Sequence, residues 1–289
     1  MKKDRPSITA EGIAILRALE SKKPAGERIC YDPYAQYFTS PLLTIISRFF
    51  MAIGYAEKRG PGVQGFLVAR TRYIDDYLQS CLKQGLEQLV ILGAGYDSRA
   101  YRFEELKRVK VFEVDHPATQ RRKMEKLKQV FGKLPENVVY VSIDFGRETL
   151  EKRLFESGYD GQRKTLFIWE GVTMYITAEA VDSTLAFVAK NSGKGSSVIF
   201  DYTYTSVING TYKRGEVSSM RRSARITGER LIFGIEEGTI EEFLKQRGFH
   251  EITNVASEFL KKAYFTGANQ KRSIAPVYAI VHAAVKPAE

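Results

Sequence analysis

Five short apolar runs in the middle of the chain constrain its fold more than any other feature of the sequence. Helical stretches lie between them, for example at 117–131 and 178–191. Short buried strands that alternate with helices are typical of a parallel sheet covered on both faces. The sequence therefore predicts a doubly wound, mostly parallel α/β fold. The five runs are 88–92, 110–114, 138–143, 165–169 and 197–201.

The first four runs end in glycine or in an acidic residue. The first leads into the Gly-Ala-Gly turn 93–95, and the next three lead into Asp115, Asp144 and Glu170. A glycine turn lets the backbone approach a ligand closely, and open α/β sheets bind nucleotides in the crevice at this edge. Asp115, which lies 22 residues after Gly93, can accept hydrogen bonds from both ribose hydroxyls of an adenosine. The pattern thus predicts an adenosine site.

Two adenosine cofactors compete for this site. A nicotinamide dinucleotide requires a third small residue in a GxGxxG frame, but that position is Ser98, and Asp97 would repel the pyrophosphate. S-adenosylmethionine carries an adenosine without phosphate and fits better. Asp144 can accept from its adenine amino group, and Phe145 can meet the base.

Each of these residues also has a purely structural interpretation. Many buried strands end in Gly-x-Gly for packing reasons alone. Asp115 and Asp144 can be helix N-caps, and His116-Pro117 after Asp115 suits a helix start. Arg70, in a predicted helix at 66–82, can be an ordinary surface arginine.

Composition excludes several other classes of protein. The two cysteines and three scattered histidines among 289 residues form neither a disulfide framework nor a zinc-binding pattern. The most apolar stretch, 42–55, is interrupted by Arg48 and is shorter than the roughly 20 residues of a membrane span. Residues 1–7 contain no apolar signal core. We therefore expect a cytoplasmic protein with no metal and no membrane partner.

The net charge of +10 allows nucleic-acid binding, but no recognisable nucleic-acid motif supports it, and a solvated basic surface explains the charge. We therefore expect no nucleic-acid partner. A non-catalytic cofactor-binding or RNA-binding protein stays as an alternative that only the charge suggests.

The chain is predicted to be one domain, 1–289, with two additions to the sheet. Residues 1–65 form an N-terminal helical cap whose first helix is at 9–21. Arg17, in this helix, is a further candidate to close over the cofactor. Residues 205–235 break the strand–helix alternation and are predicted to be a mobile lid over the acceptor site. A helix at 239–246 and strands near 250–255 and 277–285 follow. The lid contains two acidic residues and six basic ones: Lys213, Arg214, Arg221, Arg222, Arg225 and Arg230.

Several sequence blocks, taken in order, resemble the leucine carboxyl methyltransferase-like family of S-adenosylmethionine-dependent methyltransferases. The chain is most similar to the family's prokaryotic O-methyltransferase branch. The resemblance covers roughly residues 7–248 and implies a seven-stranded sheet whose last strand is antiparallel. The blocks are SITAEGIAILRALE, YDPYAQYF, VARTRYIDDYL, ILGAGYDSRAYRF, VFEVDHP, SIDF and WEGVTMYI.

The resemblance also implies which residues contact the cofactor. In order along the chain, Arg70 would bind the methionine carboxylate, Gly93 and Gly95 would form the turn under the methionine, Asp115 would hold the ribose, Asp144 and Phe145 the adenine, and Glu170 would lie near the ammonium group.

The expected function is transfer of a methyl group to an oxygen of a small-molecule hydroxyl or carboxylate. The lid's charge favours an anionic acceptor. Tyr175, Tyr202 and Tyr204 are candidates to line the acceptor pocket, although aromatic packing explains them equally well. The alternatives are methylation of a protein C-terminal carboxylate and, less favoured, a nicotinamide-dependent oxidoreductase.

Overall fold

The sheet has the predicted architecture. The computed structural model describes residues 7–144, 148–212 and 230–286, and within them seven strands form one sheet in the order β3-β2-β1-β4-β5-β7-β6. Strands β1 to β5 are parallel, and β7 is antiparallel to both of its neighbours, β5 and β6. The strands are β1 Gln88–Leu92, β2 Lys110–Asp115, β3 Val138–Ser142, β4 Thr165–Trp169, β5 Ser197–Thr203, β6 Phe249–Ala256 and β7 Tyr278–Val285.

Helices cover both faces of the sheet, as its apolar strands require. Every residue of β1, β4 and β5 is buried. The α-helices of the described residues are α1 Ile8–Ser21, α2 Pro41–Ala52, α3 Tyr55–Arg59, α4 Val63–Lys83, α5 Arg99–Arg102, α6 Pro117–Phe131, α7 Leu150–Glu156, α8 Ala178–Lys190, α9 Thr205–Asn209, α10 Ile240–Lys245 and α11 Ser257–Tyr264. No described helix combines the length and apolarity that a membrane crossing needs.

The predicted boundaries agree with the structure to within one to three residues. The first and fourth runs coincide with β1 and β4, and the helix predicted at 117–131 coincides with α6. Strand β5 continues two residues beyond its predicted end, and α4 begins three residues before the predicted start. The sequence pattern did not reveal four of the described helices: α2, α3, α9 and α11.

The order of the strands creates a ligand crevice. Strand β1 lies between β2 and β4, so the chain winds outward in one direction from β1 to β3 and in the other from β4 to β5. At such a reversal the loops beyond β1 and β4 separate and leave a crevice at the carboxyl ends of the strands. The glycine turn and Glu170 follow these two strands.

Candidate functional site

A cavity of about 610 Å³ lies at this crevice. It is lined by the turn after β1, by the residues that end β2 and β4, and by α1 and α4. The structure thus brings together six of the seven predicted cofactor contacts: Arg70, Gly93, Gly95, Asp115, Asp144 and Glu170. The seventh, Phe145, lies outside the described residues.

The glycine turn needs glycine for geometric reasons. Gly93 and Gly95 both have positive φ, at 67° and 45°, which residues with a Cβ adopt at a cost. The backbone N–H groups of Gly93 and Ala94 donate to the carbonyl of Val114 on β2 at 2.9 and 3.0 Å. A Cβ on Gly93 would lie 2.4 Å from Cγ2 of Val172. The turn therefore packs tightly between β2 and the loop after β4.

Asp115 holds this turn and does not cap the helix that follows. Its carboxylate accepts hydrogen bonds from the backbone N–H of Gly95 and, at 2.6 Å, from that of His116. The N-cap of α6 is His116, whose Nδ1 accepts from Ala118 N at 3.3 Å. Burial raises the pKa of Asp115, and the two N–H donors offset part of that rise. A carboxylate has about four acceptor positions, so Asp115 keeps acceptor capacity for a ligand.

Asp144 lines the cavity and is not the N-cap of α7 either. That cap is Thr149, whose side chain accepts from Lys152 N. The backbone N–H of Asp144 donates to Oε2 of Glu148 at 3.1 Å, and Glu148 N donates to the Asp144 carbonyl at 2.9 Å. These contacts fix the start of the loop after β3.

Arg70 is buried, which excludes the interpretation as a surface arginine. Its Nε donates to Glu170 Oε1 at 3.0 Å, and its Nη1 donates to Asp201 Oδ2 at 2.6 Å. Asp201, within β5, also accepts from the backbone N–H of Gly171 at 2.6 Å. Burial raises the pKa of Asp201, and Arg70 offsets part of the rise. Sequence reasoning placed Asp201 in a strand without assigning it to the site, although it is an acid at the end of a predicted strand.

A second buried arginine, Arg99, was not predicted. It lies in α5 directly after the glycine turn, and Nη1 donates both to Asp97 and to Glu170 Oε2, the latter at 2.7 Å. Its Nε donates to Asp75 Oδ1 at 2.7 Å. Burial by itself would raise the pKa of Glu170, but Arg99 and Arg70 outweigh burial and hold it well below its ordinary value. Glu170 is therefore ionised between two arginines.

The charges of this buried network do not cancel. Its ion pairs join three arginines to four carboxylates, which leaves a surplus of one negative charge beside the cavity. Because isolated buried charge is unfavourable, a cationic ligand group would stabilise the network. The arginines are Arg70, Arg99 and Arg102, and the carboxylates are Asp75, Asp97, Glu170 and Asp201.

Helix α1 closes one side of the cavity. Arg17 lines it, donates through Nη2 to the carbonyl of Tyr96, and forms an ion pair with Asp32, with Nε and Oδ2 2.9 Å apart. Asp32 Oδ1 in turn accepts from Tyr34 N and Ala35 N, at 3.2 and 3.0 Å. Asp32 thus positions both Arg17 and the turn that follows Asp32 in the chain.

The three tyrosines proposed for the acceptor pocket separate in the structure. Tyr175 lines the cavity. Tyr202 is buried, and its hydroxyl donates to Asn254 Oδ1 at 3.1 Å. Tyr204 is also buried and stacks on Tyr212, with ring centroids 6.4 Å apart. Tyr202 and Tyr204 are absent from the lining of the cavity, and their contacts are those of packing residues.

The remaining lining is mostly apolar. It includes Ala10, Ile13, Val172, Tyr175, Ile176 and Ile232, and the exposed Arg230 also lines the cavity. The described ends of segment 205–235 meet beside β5, where Thr205 N donates to the Ile235 carbonyl and Ile235 N to the Thr203 carbonyl, both at 3.0 Å. Its other five basic residues, which include Arg221, Arg222 and Arg225, lie outside the described residues. Within the described ranges, no group of three or more His, Cys, Asp or Glu side chains could hold a metal ion.

Comparison with known proteins identifies the family. Residues 10–189 match the family described as leucine carboxyl methyltransferase. A Bacillus subtilis protein provisionally named as an S-adenosyl-L-methionine-dependent methyltransferase, YktD, is 30% identical over 220 residues, which cover 76% of this chain and 72% of the relative. A Streptomyces coelicolor protein with the same provisional name is 34% identical over 196 residues, which cover 65% and 66% of the two chains.

Solved structures support the fold. A DUF574 family protein from Streptomyces avermitilis has a TM-score of 0.59 at 15% identity, over 95% of this chain and 97% of that one. A Thermobifida fusca protein, provisionally titled a methyltransferase, has a TM-score of 0.57 at 15% identity, over 98% and 96%. From the sequence matches, the chain belongs to the leucine carboxyl methyltransferase family of S-adenosylmethionine-dependent methyltransferases.

Proposed function

We propose that S-adenosylmethionine binds in the cavity and contacts the predicted residues that line it. Asp115 accepts from the ribose, Asp144 from the adenine amino group, and Glu170 faces the ammonium group. Arg70 binds the carboxylate through Nη2, since Nε and Nη1 are engaged by Glu170 and Asp201. The observation that carries the proposal is that these residues, from four separate parts of the chain, line one cavity.

The chemistry of the site fits this cofactor. S-adenosylmethionine carries an ammonium, a sulfonium and a carboxylate, and therefore a net charge of about +1 at neutral pH. The surplus negative charge of the buried network complements that charge. The positive-φ glycines of the turn leave its backbone accessible, whereas the Cβ of another residue at Gly93 would already collide with Val172.

In this proposal the methyl acceptor contacts the apolar side chains of the lining. When bound, S-adenosylmethionine supplies an electrophilic methyl group. Ile13, Val172 and Ile176 exclude water and orient the acceptor, which is the main requirement of a direct displacement. A carboxylate acceptor needs no general base, whereas a hydroxyl acceptor does. Tyr175, which lines the cavity, is a candidate to contact the acceptor.

The acceptor we propose is a small anionic molecule that receives the methyl group on oxygen. Arg230 is exposed, lines the cavity and can pair with an acidic group of the acceptor. Segment 205–235 would act as the lid, since both Arg230 and Ile232 belong to it and line the cavity. We place the protein in the cytoplasm on the sequence grounds given above.

A labelled methyl-transfer screen tests this function. The protein is incubated with S-adenosylmethionine carrying a heavy methyl group and with a bacterial metabolite extract, and products are identified by mass. Mild base releases the label from a methyl ester but not from a methyl ether, which separates a carboxylate from a hydroxyl acceptor. A product labelled on nitrogen or carbon would contradict oxygen transfer. Asp182→Asn, on the exposed face of α8, serves as the active control for Asp115→Asn.

A further inference from the structure

Helix α2 presents large apolar side chains to solvent. None of its twelve residues is buried. Six apolar side chains of the helix and Ile53 directly after it are 40–67% exposed: Leu42, Leu43, Ile45, Ile46, Phe49, Phe50 and Ile53. A contiguous apolar patch of this kind marks an interaction site.

The seven side chains occupy one side of the helix. At about 100° per residue they span an arc of roughly 160°. The opposite side carries Thr44, Ser47 and Met51, which are the partly buried residues of the helix. Thr44 Oγ1 donates to Thr39 Oγ1 and to the Ser40 carbonyl, at 3.1 and 2.9 Å. The helix therefore turns its more polar face toward the protein and its apolar face outward, the reverse of an ordinary surface helix.

Basic side chains flank the apolar arc. Arg48 lies beside it on α2, and Lys58 and Arg59 follow on α3; all three are exposed. The one acidic residue of this stretch, Glu57, accepts from the backbone N–H of Gly62 at 2.8 Å. Apolar side chains flanked by cations are the pattern of helices that lie in the interface of an anionic bilayer.

We propose that residues 41–59 form a docking surface for an anionic lipid bilayer, with the apolar arc of α2 inserted among the acyl chains. Insertion removes the exposed apolar surface from water, which is favourable. Arg48, Lys58 and Arg59 then meet the phosphate groups. Docking of this kind needs no spanning helix, and it departs from the sequence-based expectation that no membrane takes part.

Charge favours a bilayer over a second copy of the chain. Each copy carries a net charge of +10, so two copies repel one another whereas an anionic surface attracts each copy.

Helix α2 is connected to the cavity through α1. Ser40, its N-cap, donates through its backbone N–H to Glu11 Oε1 of α1 at 2.9 Å, and α1 lines the cavity at Ala10 and Ile13. A docked α2 therefore brings a wall of the cavity next to the lipid.

Vesicle co-sedimentation tests the proposal on the full chain. The probes are vesicles of phosphatidylcholine alone and vesicles in which about a quarter of the lipid is phosphatidylglycerol. The wild type should bind the anionic vesicles, and added salt should weaken that binding. Phe49→Asp should lower the partition coefficient about tenfold or more. Phe259→Asp is the matched control, since Phe259 is 55% exposed on α11 and Phe49 is 61% exposed on α2.

Arg48→Glu combined with Lys58→Glu should weaken binding to anionic vesicles and leave binding to neutral ones unchanged. Phe49→Asp and this double variant change only exposed side chains, so the melting temperatures of both should stay within about 2 °C of the wild type. Equal binding of the wild type to both kinds of vesicle, or equal loss with Phe259→Asp, would overturn the proposal. So would a dimer in sedimentation velocity that Phe49→Asp converts to monomer, because α2 would then pair with a second copy.

Discussion

Arg70 Nη1 lies 2.6 Å from Asp201 Oδ2, which joins α4 to β5 across 131 residues of sequence. Both side chains are buried. The pair fixes the guanidinium whose Nε contacts Glu170, so Asp201 holds Arg70 in place in the cavity wall. Asp201, which was not among the predicted site residues, thus holds the predicted site residue Arg70 in place.

Removing Asp201 should destabilise the protein strongly. Asp201→Ala leaves Arg70 with one buried partner fewer, and loss of one member of a buried ion pair costs about 3–5 kcal/mol. The control is Asp182→Ala, which breaks the partly exposed pair between Asp182 Oδ1 and Arg247 Nε, which lie 2.8 Å apart. That loss should cost at most about 1 kcal/mol. Urea denaturation measures both, and equal free energies of unfolding for the two variants would refute the role given to Asp201.

Gly93→Ala should cost more than its backbone conformation alone explains. A positive φ costs an alanine about 1–2 kcal/mol, and at Gly93 the added Cβ would also lie 2.4 Å from Val172 Cγ2. Gly85→Ala isolates the first effect, because Gly85 has φ +80° and nothing within 4 Å of the added atom. Val172→Ala should recover part of the extra loss. If Gly93→Ala and Gly85→Ala reduce the melting temperature equally, the tight packing of the turn plays no part.

Asp115→Asn should weaken cofactor binding in particular. The substitution preserves shape and removes the charge, and each charge-assisted hydrogen bond to the ribose is worth about 1.5–3 kcal/mol. The carboxylate also accepts from Gly95 and His116, so a modest loss of stability should accompany the loss of affinity. Calorimetry and thermal melting on the same sample separate the two effects. A variant that melts lower but binds S-adenosylhomocysteine normally would show that Asp115 only holds the turn.

The contribution of Glu170 to stability should depend on pH in a defined direction. Burial alone would raise the pKa of Glu170, but Arg99 and Arg70 lower it by more than burial raises it. The folded-state pKa therefore lies below the ordinary value of 4.5. The ionised carboxylate therefore stabilises the folded state fully above about pH 4.5, and this stabilisation disappears as the pH falls toward the lowered pKa. The difference in free energy of unfolding between wild type and Glu170→Gln should be largest near neutral pH and shrink in acid. A difference that grows in acid would contradict the ion pairs described.

The sequence was sufficient for the five parallel strands because each is a short, largely apolar run with a clear end. It was also sufficient for six residues of the cavity, since the carboxyl ends of parallel strands meet at one edge. Family membership removes the nicotinamide-dependent oxidoreductase alternative. The prediction that residues 205–235 form a lid over the acceptor site falls largely on residues outside the described ranges.

Other features depend on tertiary contacts that no local pattern reveals. Arg99 and Asp75 meet across 24 residues, and arginine in a short helix after a glycine turn is equally compatible with an exposed position. Tyr202 and Tyr204 lie near a strand end, as predicted, yet the Tyr202 hydroxyl donates to Asn254 Oδ1 and the Tyr204 ring stacks on Tyr212. Helix α2 was not predicted because nine of its twelve residues are apolar, which obscures its narrow polar face.

Titration calorimetry on chelator-treated protein, with S-adenosylmethionine and with S-adenosylhomocysteine, tests the central claim most directly. We expect both nucleosides to bind at one site per chain without added metal, and Glu170→Gln to weaken the binding of both, because the site is built from the strand-end residues Gly93, Gly95, Asp115, Asp144 and Glu170. The absence of binding of either nucleoside at millimolar concentration to folded protein would contradict it.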